Sequence, residues 1–534
     1  MTFRETTSPS KDTLTPSPIL AAQELDADLL HAIPIHERQR IVSGMRWTVW
    51  LAVLGAPFGY VTSLILARAS PEALGTYGLL LVYIQLVQTW LYLGGDAVVI
   101  TFLPRLRQSD KLSFLCSYFL IILAALVPWW IAGSLWPRTL HYVFGNRDSK
   151  QVQLLILYLS PICIAFCFLL ATLKARLEMK WAQGLFRFVT FGSLLAYGTM
   201  FVTARHLLVA FYSEIIWAVY FGFVGLATTI AFWKLWRLAA GRLNWRAVRY
   251  FLPNGFWRYL LPLQISSAIS MAAGRIDYLL VLNFGGLTTL GRYLAIAMIS
   301  DLMRVLNNVL LDTLLPALTN LLATDNAKGA TQFFRVTLRI VFAANAALGC
   351  ALILLVHPIL RVLGPQYAEL GTPMILLTSF ATLAAPGAIG GTLLSAVGKQ
   401  HRATWLSLAR LGLSAGLFLI LWRPYGLLGA VIASGAALLA YCIGLPAAAK
   451  FGVPIKFSIS MHYIQFAFVI ASAAAVSGSI GPFGVGVAAA LWLIAMGLFF
   501  VVSRYSYAEC RNMAQYLLPP TSRNIPPTKS LGTV

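Results

Sequence analysis

Apolar runs long enough to cross a membrane follow one another along most of this chain. A helix needs about 20 mainly apolar residues to span a hydrocarbon core of roughly 30 Å. Runs of that length, closed by Pro, Gly or charged residues, predict about fourteen transmembrane helices. The predicted fold class is therefore all-α, a polytopic integral membrane protein. The predicted spans are 46–68, 77–103, 113–136, 152–173, 181–203, 209–233, 257–282, 293–318, 333–356, 371–395, 403–421, 425–449, 459–479 and 482–503.

The number of basic residues in the segments between these runs alternates between high and low. With the N-terminus inside, the cytoplasmic segments hold 29 of the 40 Lys and Arg, the outer loops 8 and the spans 3. Lys and Arg accumulate on the cytoplasmic side of membrane proteins, and a missed helix would invert every later loop. The alternation therefore predicts that both termini lie in the cytoplasm.

The two halves of the chain share short similarities at a constant spacing. The sequence LGTY at Leu74 opens the second predicted span, and LGRY at Leu290 opens the eighth, 216 residues later. Asp96 and Asp312 are separated by the same 216 residues. Six spans lie between the copies, so they share an orientation and would be related by an axis along the membrane normal. Such a repeat predicts two lobes around a central cavity; chance similarity is the alternative.

The repeat and the spans together predict how the chain is divided. We expect two lobes of six helices each, then a helix pair, between two cytoplasmic tails. The predicted divisions are the N-terminal tail 1–44, the N-lobe 45–240, the C-lobe 250–450, the helix pair 457–505 and the C-terminal tail 506–534.

Composition excludes several classes of protein. The chain is 59% hydrophobic and only 11% charged, with a mean hydropathy of +0.76, far from an ordinary soluble domain. A net charge of +22 would suggest nucleic acid in a soluble protein, but the basic residues lie between apolar runs without an aromatic-interleaved stripe. The six Cys and seven His form no ligand cluster at metal-site spacing. We therefore expect no nucleic-acid partner, no metal and no cofactor.

Charged residues inside the eighth span are the first candidates for a site. Asp301, Arg304, Asn308 and Asp312 follow at spacings of 3, 4 and 4, which places them along one side of a helix. Each intramembrane charge costs about 2.5–3.5 kcal/mol on insertion scales, so that side should face protein or a wet cavity. It is either a cavity wall or a helix contact in which Asp301 and Arg304 neutralise each other.

The seventh span contributes Arg275 and Asp277, which are two residues apart and so point in different directions. Arg275 is expected either to hold a phosphate or sugar hydroxyl through its planar guanidinium, or to pair with Asp301. The repeat-related Asp96 and Asp312 could bind a coupling cation or proton, or form structural hydrogen bonds.

Basic residues near the predicted cytoplasmic surface form a second candidate set. They would attract an anionic lipid head group into a vestibule, although positive-inside placement alone supplies such residues. Arg187, within the fifth span, could also extend its charge to the interface. The set comprises Arg46, Lys174, Arg176, Lys180, Arg187 and Arg258.

Three stretches resemble a known transporter family: LGTYGLLLVYIQLVQTWLYLGGDAVVITFLPRL from Leu74, RIDYLLVLNFGGLTTLGRYLAIAMI from Arg275 and GKQHRATWLSLARLGLSAGLFLILWRPYGLLGAVIASG from Gly398. Their order and spacing over residues 45–505 resemble the polysaccharide-exporter branch (Wzx-like O-antigen and exopolysaccharide flippases) of the multidrug/oligosaccharidyl-lipid/polysaccharide (MOP) superfamily.

That resemblance implies a function as a flippase in a bacterial inner membrane. It implies that two lobes rock to move an undecaprenyl-pyrophosphate-linked oligosaccharide to the periplasmic leaflet, using a charged cavity. The implied partners are membrane lipid, the polyprenyl-linked saccharide and polysaccharide polymerase or export machinery. The chain departs from this pattern, because three intramembrane Arg against four Asp do not make a plainly cationic cavity.

Three other functions compete with that one. A multidrug antiporter of the MATE type looks similar but typically uses an acidic residue in the first helix, and 46–68 contains none. A peptidoglycan lipid-precursor flippase shares the span number and substrate type. A membrane glycosyltransferase, polymerase or ligase usually needs a long outer loop, and the longest here runs only from about Pro137 to Gln151. The protein is therefore not expected to be an enzyme.

Overall fold

Helices make up the regular structure of the chain, and no strand occurs in the part that is described. The computed structural model describes residues 57–135, 149–176, 178–239, 248–323, 327–396, 399–450, 460–480 and 485–502. Only the backbone is described at 108–109, 132–135, 149–158, 238–239, 305–306, 308–323, 327–333, 335–336, 395–396, 400, 450, 460–462, 480, 485, 498 and 500–502. The helices are α1 (57–69), α2 (Pro71–Leu86), α3 (Gly95–Phe102), α4 (Gln108–Leu135), α5 (Ser149–Ala175), α6 (Met179–Thr203), α7 (Arg205–Ala210), α8 (Tyr212–Ala239), α9 (Phe256–Ala323), α10 (Ala327–Leu354), α11 (Val356–Leu363), α12 (Gly371–Ala384), α13 (Ala388–Ala396), α14 (Gln400–Lys450), α15 (Ser460–Ile480) and α16 (Val485–Val502).

Nine helical segments of the described residues are long and apolar enough to cross a membrane. One of them, Phe256–Arg304, covers the seventh and eighth predicted spans together. Three shorter apolar helices fall in the fourth, thirteenth and fourteenth spans, and α1 covers the described end of the first. The all-α, polytopic membrane fold is confirmed. The orientation of the termini stays a prediction, and both tails lie outside the described residues.

Two long helices each contain a glycine bend that separates two spans. α9 bends at Gly286, where φ is 76°, and α14 bends at Gly426, where φ is 54°. Positive φ is available to glycine without the steric penalty that a Cβ brings. Each helix therefore consists of two arms, and the four arms correspond to the seventh, eighth, eleventh and twelfth predicted spans.

The second span begins earlier than the hydropathy pattern predicts. α2 starts at Pro71 rather than at 77, and the Ser70 hydroxyl accepts the Ala73 N–H at 3.1 Å. A Ser cap followed by Pro at the first helical position is a standard helix start. The hydropathy window missed it because Ser70 and Glu72 reduce the local apolar content.

The same span is not the continuous helix that 77–103 implies. After a π-helical turn at Val87–Leu91 the backbone unwinds, with positive φ at Leu93, Gly94 and Gly95. The Tyr118 hydroxyl donates to Leu93 O at 2.5 Å, and the Gln264 side chain binds Thr89 O and the Gly94 N–H, both at 2.7 Å. Side chains thus satisfy backbone groups that unwinding leaves free.

Residues related by the 216-residue repeat contact one another where α2 meets the second arm of α9. The Thr288 hydroxyl donates to Glu72 at 2.7 Å. A Cβ at Gly75 would collide with Leu287 O, and one at Gly291 would collide with Pro71 O. These reciprocal contacts are what a two-fold axis between equivalent helices produces, and glycine permits the close backbone approach.

Candidate functional site

A cavity of about 270 Å³ lies among both arms of α9, the helices α12 and α13, and α14. Four residues from the predicted set line it: Arg275, Asp277, Asp301 and Arg304. The rest of the lining includes small side chains, which leave the space unfilled. These small residues are Ala297, Ala381, Ala384, Ala385 and Ala388.

Every described residue that lines the cavity belongs to the second half of the chain. The sequence predicts a cavity between the halves, which stays a prediction, and the cavity described here lies within the second half. The physical reason is the hairpin-like bend of α9 at Gly286, which places both charged arms beside α14 of the same half. The first half approaches these charges through Gln85 and Tyr60, described below.

Asp277 joins three elements at the wall of the cavity. Its carboxylate accepts the Tyr293 hydroxyl at 2.5 Å, the Ser434 hydroxyl at 2.9 Å and the Tyr278 N–H at 3.0 Å. The side chain is buried, so these donors replace the water that a carboxylate otherwise binds. Asp277 therefore ties the two arms of α9 to α14.

Arg275 points away from Asp277 and towards the first half. Its Nε donates to the Gln85 side-chain oxygen at 2.6 Å, and its guanidinium carbon lies 4.8 Å from the Tyr278 ring centroid. Asp301 is not its hydrogen-bonding partner among the described contacts. Arg275 therefore keeps guanidinium N–H groups beside the cavity that it lines.

Asp301 pairs with Arg304 on its own helix, at 3.1 Å. Both side chains are partly exposed, at 36% and 55%, so the pair faces open space rather than a sealed helix contact. The phenol of Tyr60 on α1 lies within electrostatic range of both charges. The side chains of Asn308 and Asp312 lie outside the described residues.

Asp96 forms an ion pair with Lys174, which the structure brings together from α3 and α5. One candidate for ion coupling and one candidate for the vestibule are therefore partners. Arg187 is half-buried with its Nε unbonded, Arg258 is exposed, and Arg176 and Lys180 both make interactions. The structure thus brings Asp96 and Lys174 together, and Arg46 lies outside the described residues.

Three contributors to the site were not predicted from the sequence. Arg410 lines the cavity with its guanidinium 5.6 Å from the Tyr441 ring centroid, although the charge count places it in a cytoplasmic loop. Gln85 and Ser434 are polar residues within apolar runs, a signal that could have identified them as partners of buried charges. In the described part of the chain, no three His, Cys, Asp or Glu side chains come together as a metal site.

Two helix ends cap each other at the end of the molecule near the α2–α9 contact. The Arg68 Nε donates to Val362 O at 2.8 Å, at the end of α11. The Gln366 amide in turn donates to Ala67 O at 2.8 Å, at the end of α1. The last carbonyls of a helix lack intrahelical partners, so each helix satisfies the other. The charge pattern predicts that this end faces outward.

The fold defines a class: this is a polytopic membrane protein with the fold seen in MOP-superfamily transporters. The chain is similar to the lipid II flippase MurJ in an inward closed conformation, with a TM-score of 0.64 and 13% identity over 87% of this chain and 99% of that one. It is also similar to an inward-facing MATE-family multidrug resistance transporter, with a TM-score of 0.57 and 12% identity over 80% and 98% of the two chains.

A further neighbour is a MOP-superfamily transporter from Pyrococcus furiosus, with a TM-score of 0.55 and 13% identity over 77% and 94% of the two chains. These structural neighbours are transporters and not enzymes. No protein-family model and no curated protein matches the sequence. At such low identity the likeness shows the fold, and the substrate has to be argued from the site.

Proposed function

We propose that this protein is a flippase that moves a lipid-linked saccharide across a bacterial inner membrane by alternating access. The observation that supports this most is the charge balance of the cavity. Its described lining carries three Arg and two Asp. Asp301 is paired with Arg304 and Asp277 is held by two hydroxyls, which leaves Arg275 and Arg410 for an anion.

A polyprenyl diphosphate suits these groups chemically. Arginine presents a planar set of donors that matches phosphate oxygens, and its charge persists at all physiological pH values. Tyr278 and Tyr441 lie against the two guanidinium groups and hold them beside the cavity. Ser300 and Asn307 add neutral polar groups to the same lining, where a sugar hydroxyl could bind.

The present cavity is too small for such a head group. Pockets for drug-sized ligands measure roughly 300–1,000 Å³, whereas this one holds about 270 Å³. A diphosphate carrying several sugars needs more space, so the proposal requires that the two halves separate. The Arg275–Gln85 hydrogen bond lies at that boundary and would break on opening.

The test is a flipping assay with the full chain in proteoliposomes. A polyprenyl-diphosphate saccharide labelled on its sugar with a reducible fluorophore is accessible to dithionite only in the outer leaflet. We expect the wild type to expose the inner-leaflet pool, and Arg275→Ala or Arg410→Ala to slow this at least tenfold. Arg423→Ala removes an equal charge from an exposed position at the α14 bend and should leave the rate unchanged.

Two results would contradict the proposal. One is a wild-type protein that leaves the labelled lipid in place but exports organic cations, which would assign it to the drug-transporter class. The other is unchanged flipping in both cavity variants, which would remove the arginines from the mechanism. In cells, the result that would support the proposal is loss of surface polysaccharide in Arg275→Ala and Arg410→Ala strains at normal protein level.

A second candidate is a flippase for a peptidoglycan lipid precursor. It is favoured by the likeness to MurJ, which extends over 99% of that chain. Both substrates carry a polyprenyl diphosphate, so the same arginines would serve. Supplying the assay with the disaccharide-pentapeptide lipid together with the oligosaccharide lipid distinguishes the two functions. The physiological substrate should slow the flipping of the other lipid.

A further inference from the structure

A cluster of cations on aromatic rings lies at one end of α6 and α8, away from the cavity. The Lys234 Nζ lies 4.8 Å from the Trp181 ring centroid, and the Arg237 guanidinium carbon lies 4.0 Å from the Trp233 centroid. Trp236 stacks on Phe232 beside them, at 6.1 Å. The charge pattern predicts that this end of the molecule faces the cytoplasm.

The two cations have no acidic partner among the described residues. Neither Lys234 nor Arg237 makes an ion pair or a hydrogen bond with a described residue, and the sequence contains no Asp or Glu between Glu214 and Asp277. The aromatic rings hold the charges in place without neutralising them. Both groups therefore keep their donors for an external anion.

The surface that continues from this cluster is apolar and exposed. α5, α6 and α8 share a small core of their own, which includes Leu185, Val189 and Val224, and their other faces point outward. Phe186, Phe191, Leu195 and Leu226 are all exposed there, which in a bilayer means contact with acyl chains. A phospholipid could place its tails on this surface and its phosphate beside the two cations.

We propose that the inner ends of α6 and α8 form a binding site for the phosphate of an anionic phospholipid of the cytoplasmic leaflet. Trp181, Trp233 and Trp236 are partly exposed and suit the depth of the head groups, where Trp side chains concentrate in membranes. A net negative lipid gains from both cations, whereas a zwitterionic lipid brings its own positive charge.

The basic and aromatic residues at the equivalent position in the second half of the chain make different contacts. There Arg402 donates to Ala448 O at 3.0 Å, at the end of α14, and Arg410 lies inside the cavity against Tyr441. Trp405, although exposed, has no described cation on its ring. Among the described residues, the two-cation arrangement thus belongs to one flank of the molecule.

The experiment is native mass spectrometry of the full-length protein in detergent, titrated with phosphatidylglycerol or phosphatidylcholine. We expect the wild type to prefer phosphatidylglycerol. Each basic residue near an anionic lipid contributes roughly fivefold, so Lys234→Gln with Arg237→Gln should weaken phosphatidylglycerol binding by about tenfold or more and leave phosphatidylcholine binding unchanged. Trp181→Leu with Trp233→Leu should weaken it while the net charge is kept.

Arg423→Gln is the matched control, because it removes a charge at the α14 bend, which is far from the cluster along the membrane normal. This variant should bind phosphatidylglycerol like the wild type. The inference is overturned if the double glutamine variant keeps wild-type affinity for phosphatidylglycerol, or if the wild type binds both lipids equally. It is also overturned if Arg423→Gln weakens binding as much as the cluster variant, since that would show a general effect of net charge.

Discussion

At the scale of single residues, Asp277 has the largest structural effect that we expect from one side chain. It is buried and accepts hydrogen bonds from Tyr293, Ser434 and the Tyr278 backbone. Asp277→Ala leaves the buried Tyr293 hydroxyl without its acceptor, which costs about 1–3 kcal/mol. The thermal unfolding midpoint in detergent should fall.

Asp277→Asn keeps one acceptor oxygen and the side-chain volume, so its midpoint should lie between those of the alanine variant and the wild type. A wild-type midpoint in the alanine variant would show that the hydrogen bonds of Asp277 do not stabilise the fold.

The sequence identified the charges within the membrane spans better than it identified their partners. Arg275, Asp277, Asp301 and Arg304 could be chosen because a charge within an apolar run is costly and therefore informative. Their partners could not, because Gln85 and Ser434 lie 190 and 157 residues away and only the tertiary fold brings them near. Arg410 was missed for another reason: it lies close to a predicted helix end, where snorkelling to the interface is the ordinary explanation.

At the scale of elements, the close approach of α2 and α9 depends on two glycines. A Cβ at Gly291 would collide with Pro71 O, a backbone atom that cannot rotate away. Gly291→Ala must push the helices apart, and overpacking of this kind costs typically 1–3 kcal/mol. We expect a lower thermal midpoint in detergent.

Gly222→Ala on α8 is the control for that substitution, since a Cβ there meets nothing within 4 Å and alanine favours the helix. The packing argument would be refuted if both alanine variants unfolded at the same temperature as the wild type.

The exchange of caps between α1 and α11 predicts a conformational effect. Arg68→Ala combined with Gln366→Ala removes the side chains that bind Val362 O and Ala67 O. These bonds join the two halves at the end expected to face outward, so their loss should favour opening there. A cysteine placed at Thr288 should then react faster with a membrane-impermeant maleimide. Equal labelling rates with and without the caps would contradict this.

Helix existence was predictable and helix shape was not. Hydropathy predicted a span for each apolar, membrane-length helix of the described residues, because bilayer thickness fixes a minimum apolar length. Ser70-Pro71 is a capping signal that marks the start of α2 in the sequence. A hydropathy window does not detect it, because the window averages over many residues. The break at Leu93–Gly95 depends on Gln264 and Tyr118, which are distant in sequence and satisfy the freed backbone.

At the scale of the whole molecule, a cross-link across the repeat contact should hold the two halves together. The side chains of Glu72 and Thr288 are joined by a 2.7 Å hydrogen bond, so cysteines at both positions are near enough for a short bifunctional reagent. We expect cross-linking to stop flipping in proteoliposomes and a cleavable reagent to restore it on reduction. Continued flipping by the cross-linked protein would mean that this contact does not open during transport.

The contact of LGTY with LGRY has one more consequence. Because each copy touches its own counterpart around an axis, each half of the chain carries one complete face of a self-complementary joint, as the subunits of a dimer do. The gene could therefore be cut between the codons for 240 and 247, and the two polypeptides, made together in one cell, should find each other and co-purify as a single particle.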